Sequence, residues 1–182
     1  MRKFNLACIK DELRPIMNHV QVTKETIAAT NGHILMWDQP CNNFDDEFCS
    51  LIPDEGLLIH SEDWKKFDKS YWVKFRDQNT IEIYYRTKRK VLIEVETEKT
   101  IGKFPNWRAV VPNINDVSPI GELGVNPTQY KSIIDAYGTG YNFQDLKLVF
   151  TGANRAICIK ENNVDFNLSG AIIMPYKVEE II

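Results

Sequence analysis

The residues of this chain best suited to chemistry are its three histidines, His19, His33 and His60, each in or beside a predicted strand. An imidazole can act as a general base near neutral pH or bind a metal ion. His19 and His33 could approach each other across neighbouring strands, but a zinc site needs a third ligand and the sequence identifies none. The chain also lacks a nucleophile-elbow serine, a P-loop and a GxGxxG motif. We therefore expect a protein that is not an enzyme and that holds no metal or cofactor.

Two groups of basic residues could contact the phosphates of DNA. Lys65, Lys66 and Lys69 share one face of a predicted helix that begins at Ser61. Such side chains bind phosphates without reading the base sequence, although a solvated surface is the alternative. A net charge of −3 argues against a protein that coats nucleic acid by bulk charge. The second group lies at the tip of a predicted hairpin and comprises Arg86, Lys88 and Arg89.

The four cysteines form no CxxC pair and fit no zinc-site spacing. Cys8 and Cys158 lie in apolar runs and are expected to be buried thiols. Cys41 and Cys49 flank an acidic loop and could form a disulfide. The sequence shows no secretory signal and no apolar run long enough to span a membrane. We therefore expect a cytoplasmic protein whose thiols stay reduced.

Apolar and polar residues alternate through much of the first two thirds of the chain, which predicts antiparallel strands. Asn31 and Gly32 form a strong turn signal between two of them. Residues 38–48 are polar and acidic and predict a surface loop, and Ser61 is a suitable N-cap for a helix. Strands are expected at residues 4–9, 16–22, 25–30, 33–37, 71–75, 80–85 and 90–95.

The same order of elements recurs in the last third of the chain. A helix begins at Pro127, and its apolar residues Tyr130, Ile133, Ile134 and Tyr137 follow helical spacing. The order strand, helix, three strands therefore appears twice, about 65 residues apart. These patterns predict an α+β fold with antiparallel sheets packed on helices. The strands of this second set are expected at residues 121–125, 146–150, 155–160 and 171–177.

Three segments of the chain resemble the bacterial DNA sliding clamp, the β subunit of DNA polymerase III. They are residues 14–20 with 29–35, residues 102–112, and residues 171–178. The resemblance implies a DNA-clamp-like fold built from repeated strand-helix-three-strand units. It also implies a first domain over residues 1–116, whose first unit lacks its helix, and half of a second domain over residues 117–182. A closed ring around DNA would then need more than one copy of this chain.

The resemblance further implies an apolar groove that binds short linear motifs of DNA polymerases and other clamp-binding proteins. Ile34 and Ala109 stand where the family usually carries arginine, so the preferred partner is expected to differ. The alternative is that these side chains only form the core of a domain junction. The implied groove residues are Thr30, Gly32, His33, Leu35, Pro105, Val110, Met174, Pro175 and Tyr176.

These expectations combine into two hypotheses about function. The first is a non-catalytic replication accessory protein that tethers a partner to DNA, contacts double-stranded DNA non-specifically and forms a homo-oligomer. The second is an interaction module that binds clamp-motif peptides but never encircles DNA. The oligomeric state separates the two, because a ring requires a closed assembly.

Overall fold

Seven antiparallel strands form the main sheet, in the order β4-β1-β2-β3-β10-β9-β8, and three more form a second sheet, β5-β6-β7. The computed structural model describes residues 1–68, 70–120, 123–137, 146–152 and 155–175. The strands are β1 (His19–Val22), β2 (Ile27–Thr30), β3 (Ile34–Asp38), β4 (Leu57–His60), β5 (Trp72–Asp77), β6 (Thr80–Tyr84), β7 (Lys90–Glu94), β8 (Leu146–Val149), β9 (Ile157–Glu161) and β10 (Gly170–Ile173).

Short helices connect these strands, and one longer helix packs on the main sheet. The α-helices are α1 (Asp46–Leu51), α2 (Ser61–Trp64), α3 (Glu98–Ile101) and α4 (Pro127–Tyr137). The 3₁₀ helices span Phe4–Ala7, Pro15–Asn18, Pro40–Asn42, Lys65–Phe67 and Trp107–Val110. Within the described part of the chain, no helix has the length and apolar character that a membrane span requires. The predicted α+β class is confirmed.

Both faces are covered at the centre of the main sheet, where β2, β3 and β10 are buried at every position. On one face, alternate residues such as Met36 and Ile173 pack against the Phe4–Ala7 helix, α2 and α4. On the other face, Leu35, Trp37 and Ile172 pack against the segment that follows α3. The near-continuous apolar runs of these strands follow from burial on both faces.

Strand β10 pairs with β3, although their sequences are far apart. Gly170 lies opposite Trp37, and Ile173 lies opposite Ile34. The division of the chain at residues 116 and 117 stays a prediction. The pairing nevertheless places the end of β10 beside the Asn31-Gly32 turn, which matters for the groove described below.

The N-terminal prediction is wrong, because residues 4–7 form a 3₁₀ helix where a strand was expected. Phe4 and Ala7 are both fully buried, and their spacing of three matches a 3₁₀ turn better than a strand. The backbone N–H of Lys3 donates to the carbonyl of Ala136 at 3.0 Å, which ties this helix to α4.

The prediction of a surface loop at residues 38–48 is also wrong in part. Asp45 caps α1 by accepting a hydrogen bond from the backbone N–H of Phe48 at 2.8 Å. Phe44 and Phe48 are buried and stack with ring centroids 4.2 Å apart. The acidic residues are therefore the solvent side of a segment whose aromatic residues belong to the core.

Most other predicted elements are confirmed, including α4 and the β5-β6-β7 hairpins. The expected strand at 121–125 is not confirmed: residues 121–122 lie outside the described part, and residues 123–125 contain only a single bridge residue. The strand β4 and the short helix α3 were not predicted.

Candidate functional site

A cavity of about 500 Å³ opens between the end of the β3–β10 pair and the connector formed by residues 102–112. We call this cavity the groove. It is lined by residues from each of the three segments that the sequence singled out. Those predicted residues are Thr30, Gly32, His33, Leu35, Pro105, Val110 and Met174.

The wall from β2 and β3 is built on the turn at Asn31 and Gly32. The Asn31 side-chain oxygen accepts hydrogen bonds from the backbone N–H groups of His33 and Ile34, both at 2.9 Å. Gly32 has φ +87°, a conformation that costs a residue with a Cβ atom about 1–2 kcal/mol. The Thr30 hydroxyl donates to the Ile34 carbonyl at 2.7 Å, so side chains of both Thr30 and Asn31 form hydrogen bonds across the turn. The turn therefore holds this wall in one conformation.

The connector forms the opposite wall and is held by polar and aromatic contacts. A Glu98 carboxylate oxygen accepts hydrogen bonds from the Phe104 backbone N–H and the Gln21 side chain, both at 3.1 Å. Trp107 stacks on Trp37 of β3 with ring centroids 5.4 Å apart. The predicted packing of this connector against the rest of the chain is therefore observed.

The third wall comes from the end of β10. The Met174 backbone N–H donates to the His33 carbonyl at 2.8 Å and extends the pairing of β10 with β3. Leu35 at the floor is 2% exposed, whereas Val110 and Met174 at the rim are 58% and 41% exposed. The groove thus has a buried apolar floor and an exposed apolar rim, which suits an extended apolar peptide.

The fold resembles that of bacterial DNA sliding clamps. It superposes on the DNA polymerase sliding clamp of Pseudomonas aeruginosa with a TM-score of 0.60 and 14% identity, covering 96% of this chain and 62% of that one. For the DNA polymerase III β subunit of Thermotoga maritima the TM-score is 0.58 at 13% identity, covering 97% and 63%. This chain has the fold of a sliding clamp.

A P. aeruginosa DnaN sliding clamp bound to griselimycin has the same fold, with a TM-score of 0.60 and 14% identity, covering 96% of this chain and 61% of that one. The chain spans less than two thirds of the length of these clamps. Comparison of the sequence with models of known families gives no match, and neither does comparison with curated protein sequences. The likeness to sliding clamps expected from three short segments is confirmed at the level of the fold.

Two predicted groove residues are not among those that line the cavity. Pro175 follows Met174 and is half-buried outside the lining, and Tyr176 lies outside the described residues. Sequence reasoning also missed Met17 and Arg155, which do line the groove. Among the described residues of the lining, Arg155 is the one with a formal charge. Met17 lies in the segment 14–20 that the resemblance singled out but was not named as a groove residue, and no local motif marks Arg155.

The basic residues on the predicted helix are matched by acidic neighbours. Lys65 lies 2.7 Å from Glu62, and Lys66 pairs with Asp63. Hydrogen bonds from Lys65 and then Lys10 lower the pKa of Glu62 to about 2, so its charge persists and offsets theirs. Lys69 lies outside the described residues.

The hairpin tip is a stronger phosphate-binding candidate. Arg86 lies over the Tyr71 ring at 5.7 Å, and Arg89 lies over the Tyr85 ring at 5.9 Å. Lys88 is exposed and has φ +60° in the turn. Among the residues that the structure describes, none of these three basic side chains forms an ion pair. Their positive charge is therefore available to an anionic ligand.

The cysteines and histidines form no further site in the described ranges, where no group of three potential metal ligands occurs. Cys41 and Cys49 are free thiols. Burial raises the pKa of Cys158 to about 11, which makes it unreactive. His19 lies near His60, with ring centroids 5.0 Å apart, and not near His33, which lines the groove.

Proposed function

We propose that this chain is a non-catalytic accessory protein of DNA replication that tethers partner proteins through short peptide motifs bound in the groove. The observation that carries the proposal is the convergence of Thr30, Val110 and Met174, from three distant segments, around one apolar cavity. The chain shares its fold with a clamp bound to griselimycin and with a Caulobacter clamp that has polyethylene glycol at its proposed β-motif tethering region.

The geometry supports a peptide whose apolar side chains enter the groove. Leu35 and Ile172 provide a buried apolar floor, and Met174 is a flexible side chain that can adjust to different ligands. Arg155 supplies the positive charge that Ile34 and Ala109 do not. We therefore propose a preferred motif that combines apolar residues with a carboxylate placed to reach Arg155.

Changing the exposed rim of the groove tests this function. We expect Met174→Glu and Val110→Glu each to weaken binding of a fluorescein-labelled clamp-motif peptide at least about tenfold, because each buries a carboxylate against apolar peptide side chains. Both positions are exposed, so the fold should be retained. Fluorescence anisotropy measures the affinity, and circular dichroism checks the fold.

Leu168→Glu is the matched control, because Leu168 is 45% exposed and lies away from the groove. It should bind the peptide as the unmodified chain does. Equal loss of binding in the control, or no peptide binding by the unmodified chain, would contradict the proposal. Leu35 is unsuitable for this test because a charge at its buried position would unfold the protein.

A role on DNA requires a second property, which is closure of a ring. We propose non-specific contact with duplex DNA through Arg86, Lys88 and Arg89, with Lys65, Lys66 and Lys69 as a weaker second group. The acidic partners of Lys65 and Lys66 favour the alternative function, an interaction module that binds peptides without encircling DNA.

Sedimentation and DNA retention distinguish the two functions. For a ring we expect a closed oligomer that stays on circular duplex DNA and is lost when the circle is cut, since a topological link needs an unbroken circle. Changing Arg86, Lys88 and Arg89 to glutamate should weaken the contact with duplex DNA more than changing Lys65, Lys66 and Lys69 does. A monomer at all concentrations, with peptide binding intact, would identify the interaction module.

A further inference from the structure

The solvent face of the β5-β6-β7 sheet carries exposed aromatic and basic side chains together. Alternation along β5 and β6 sends Val73 and Ile83 into the core and leaves Trp72, Lys74 and Tyr84 on the opposite face. Trp72 lies opposite Tyr84, and Tyr84 lies opposite Lys90. We call these four residues, Trp72, Lys74, Tyr84 and Lys90, the aromatic–basic face.

The aromatic rings of this face are accessible and ordered by their neighbours. The Trp72 and Tyr84 ring centroids are 5.2 Å apart at an interplanar angle of 34°. The Lys74 ammonium lies 5.3 Å from the Trp72 ring and 5.6 Å from the Tyr84 ring. Trp72 is 38% exposed, whereas the other three tryptophans of the chain are each 9% exposed or less. Trp72 is thus the one tryptophan of the chain left in contact with solvent.

The Glu82 carboxylate contacts three of the four residues of the aromatic–basic face. Its carboxylate accepts a hydrogen bond from the Tyr84 hydroxyl and lies 2.9 Å from the Lys90 ammonium and 3.4 Å from that of Lys74. These contacts, the Tyr84 bond first, lower the pKa of Glu82 to about 2. The carboxylate therefore stays ionised, and it fixes Tyr84 in place beside Trp72.

Positive charge is concentrated in this part of an acidic chain. The chain as a whole has a net charge of −3. Residues 71–94 contain three acidic residues, Asp77, Glu82 and Glu94. The same range contains six basic residues, Lys74, Arg76, Arg86, Lys88, Arg89 and Lys90. The ligand that complements this surface is therefore an anion with aromatic or planar groups.

We propose that the aromatic–basic face binds single-stranded nucleic acid, with bases stacked on Trp72 and Tyr84 and phosphates near Lys74 and Lys90. Lys74 lies beside both rings and Lys90 lies opposite Tyr84 in the sheet, so one oligonucleotide can contact the rings and the ammonium groups together. Unpaired bases expose the planar surfaces that stacking needs, whereas the bases of a duplex are already stacked inside it. The face is separate from the groove and does not depend on peptide binding there.

Binding of a fluorescein-labelled 20-nucleotide oligothymidylate tests this proposal by anisotropy. We expect Trp72→Ala to weaken binding at least about fivefold and Trp72→Phe to have less than about half that effect, because phenylalanine keeps a stacking surface. Lys74→Gln with Lys90→Gln should weaken binding at least about tenfold and reduce its dependence on salt. Unlabelled oligonucleotide should also quench the tryptophan fluorescence of the unmodified chain.

The controls separate stacking from general attraction to anions. Tyr130→Ala removes an aromatic residue of equal exposure, 38%, outside this sheet, and Lys24→Glu with Lys99→Glu reverses two exposed basic residues elsewhere. Neither change should affect binding, and Met174→Glu should leave it intact. Unchanged affinity in Trp72→Ala would overturn the proposal. The proposal would also be overturned if heparin, or a duplex of the same length, competed with the labelled oligonucleotide and quenched the tryptophan fluorescence as strongly as the single strand does. Attraction by bulk charge would then explain the binding.

Discussion

Replacing Arg2 with alanine is expected to lower the free energy of unfolding by about 3–5 kcal/mol, because it leaves a buried carboxylate without its cation. The Arg2 guanidinium lies 2.8 Å from Asp38 at the end of β3 and 2.6 Å from Glu161 at the end of β9. Asp38 is fully buried, so water cannot replace the lost partner. Urea unfolding followed by circular dichroism measures the change.

The other groups that contact Asp38, and the residues near Arg2, provide the controls for this prediction. Asn42 and Asn43 also donate hydrogen bonds to Asp38, at 2.7 and 3.0 Å, but an amide carries no charge to offset the carboxylate. Arg2→Lys keeps the charge and lacks the forked guanidinium that spans both acids, so an intermediate loss is expected. Lys3→Ala changes an exposed neighbour and should leave stability within about 0.5 kcal/mol of the unmodified chain. A loss below about 1 kcal/mol in Arg2→Ala would contradict the account.

The sequence predicted elements well where the pattern was regular. In β5 and β6, apolar residues alternate with charged ones because one face is solvated, and in α4 the helical spacing is complete. The 3₁₀ helix at Phe4–Ala7 was mistaken for a strand because Phe4, Leu6 and Cys8 alternate as in a strand. Strand β4 was missed because a short run that is buried on both faces shows no alternation.

The groove shows a different limit of sequence reasoning. The three segments could be singled out by their resemblance to clamps, and the turn chemistry of Asn31 and Gly32 is local. The stacking of Trp107 on Trp37 and the placement of Arg155 at the groove are not local, because each brings together residues that are far apart in the sequence. Tertiary register is not encoded in any single window of residues, so only the fold reveals these contacts.

Replacing Trp107 with alanine is expected to lower the free energy of unfolding by about 3 kcal/mol and to weaken peptide binding in the groove at least about tenfold. Trp107 is the side chain by which the connector stacks on Trp37, and it also lines the groove. Its removal leaves a cavity beside β3 and frees the wall that carries Val110. Thermal unfolding and peptide anisotropy, measured on the same samples, give both effects.

Two substitutions at and beside this position separate packing from charge. Trp107→Phe keeps an aromatic ring against Trp37 and should retain most of both properties. Arg108→Ala removes the guanidinium that lies 4.6 Å from the Trp107 ring at the exposed surface, and its effect on stability should stay below about 1 kcal/mol. If Trp107→Ala loses stability but binds the peptide with unchanged affinity, the connector only stabilises the fold. The residues that contact the peptide must then lie on β3 and β10 alone.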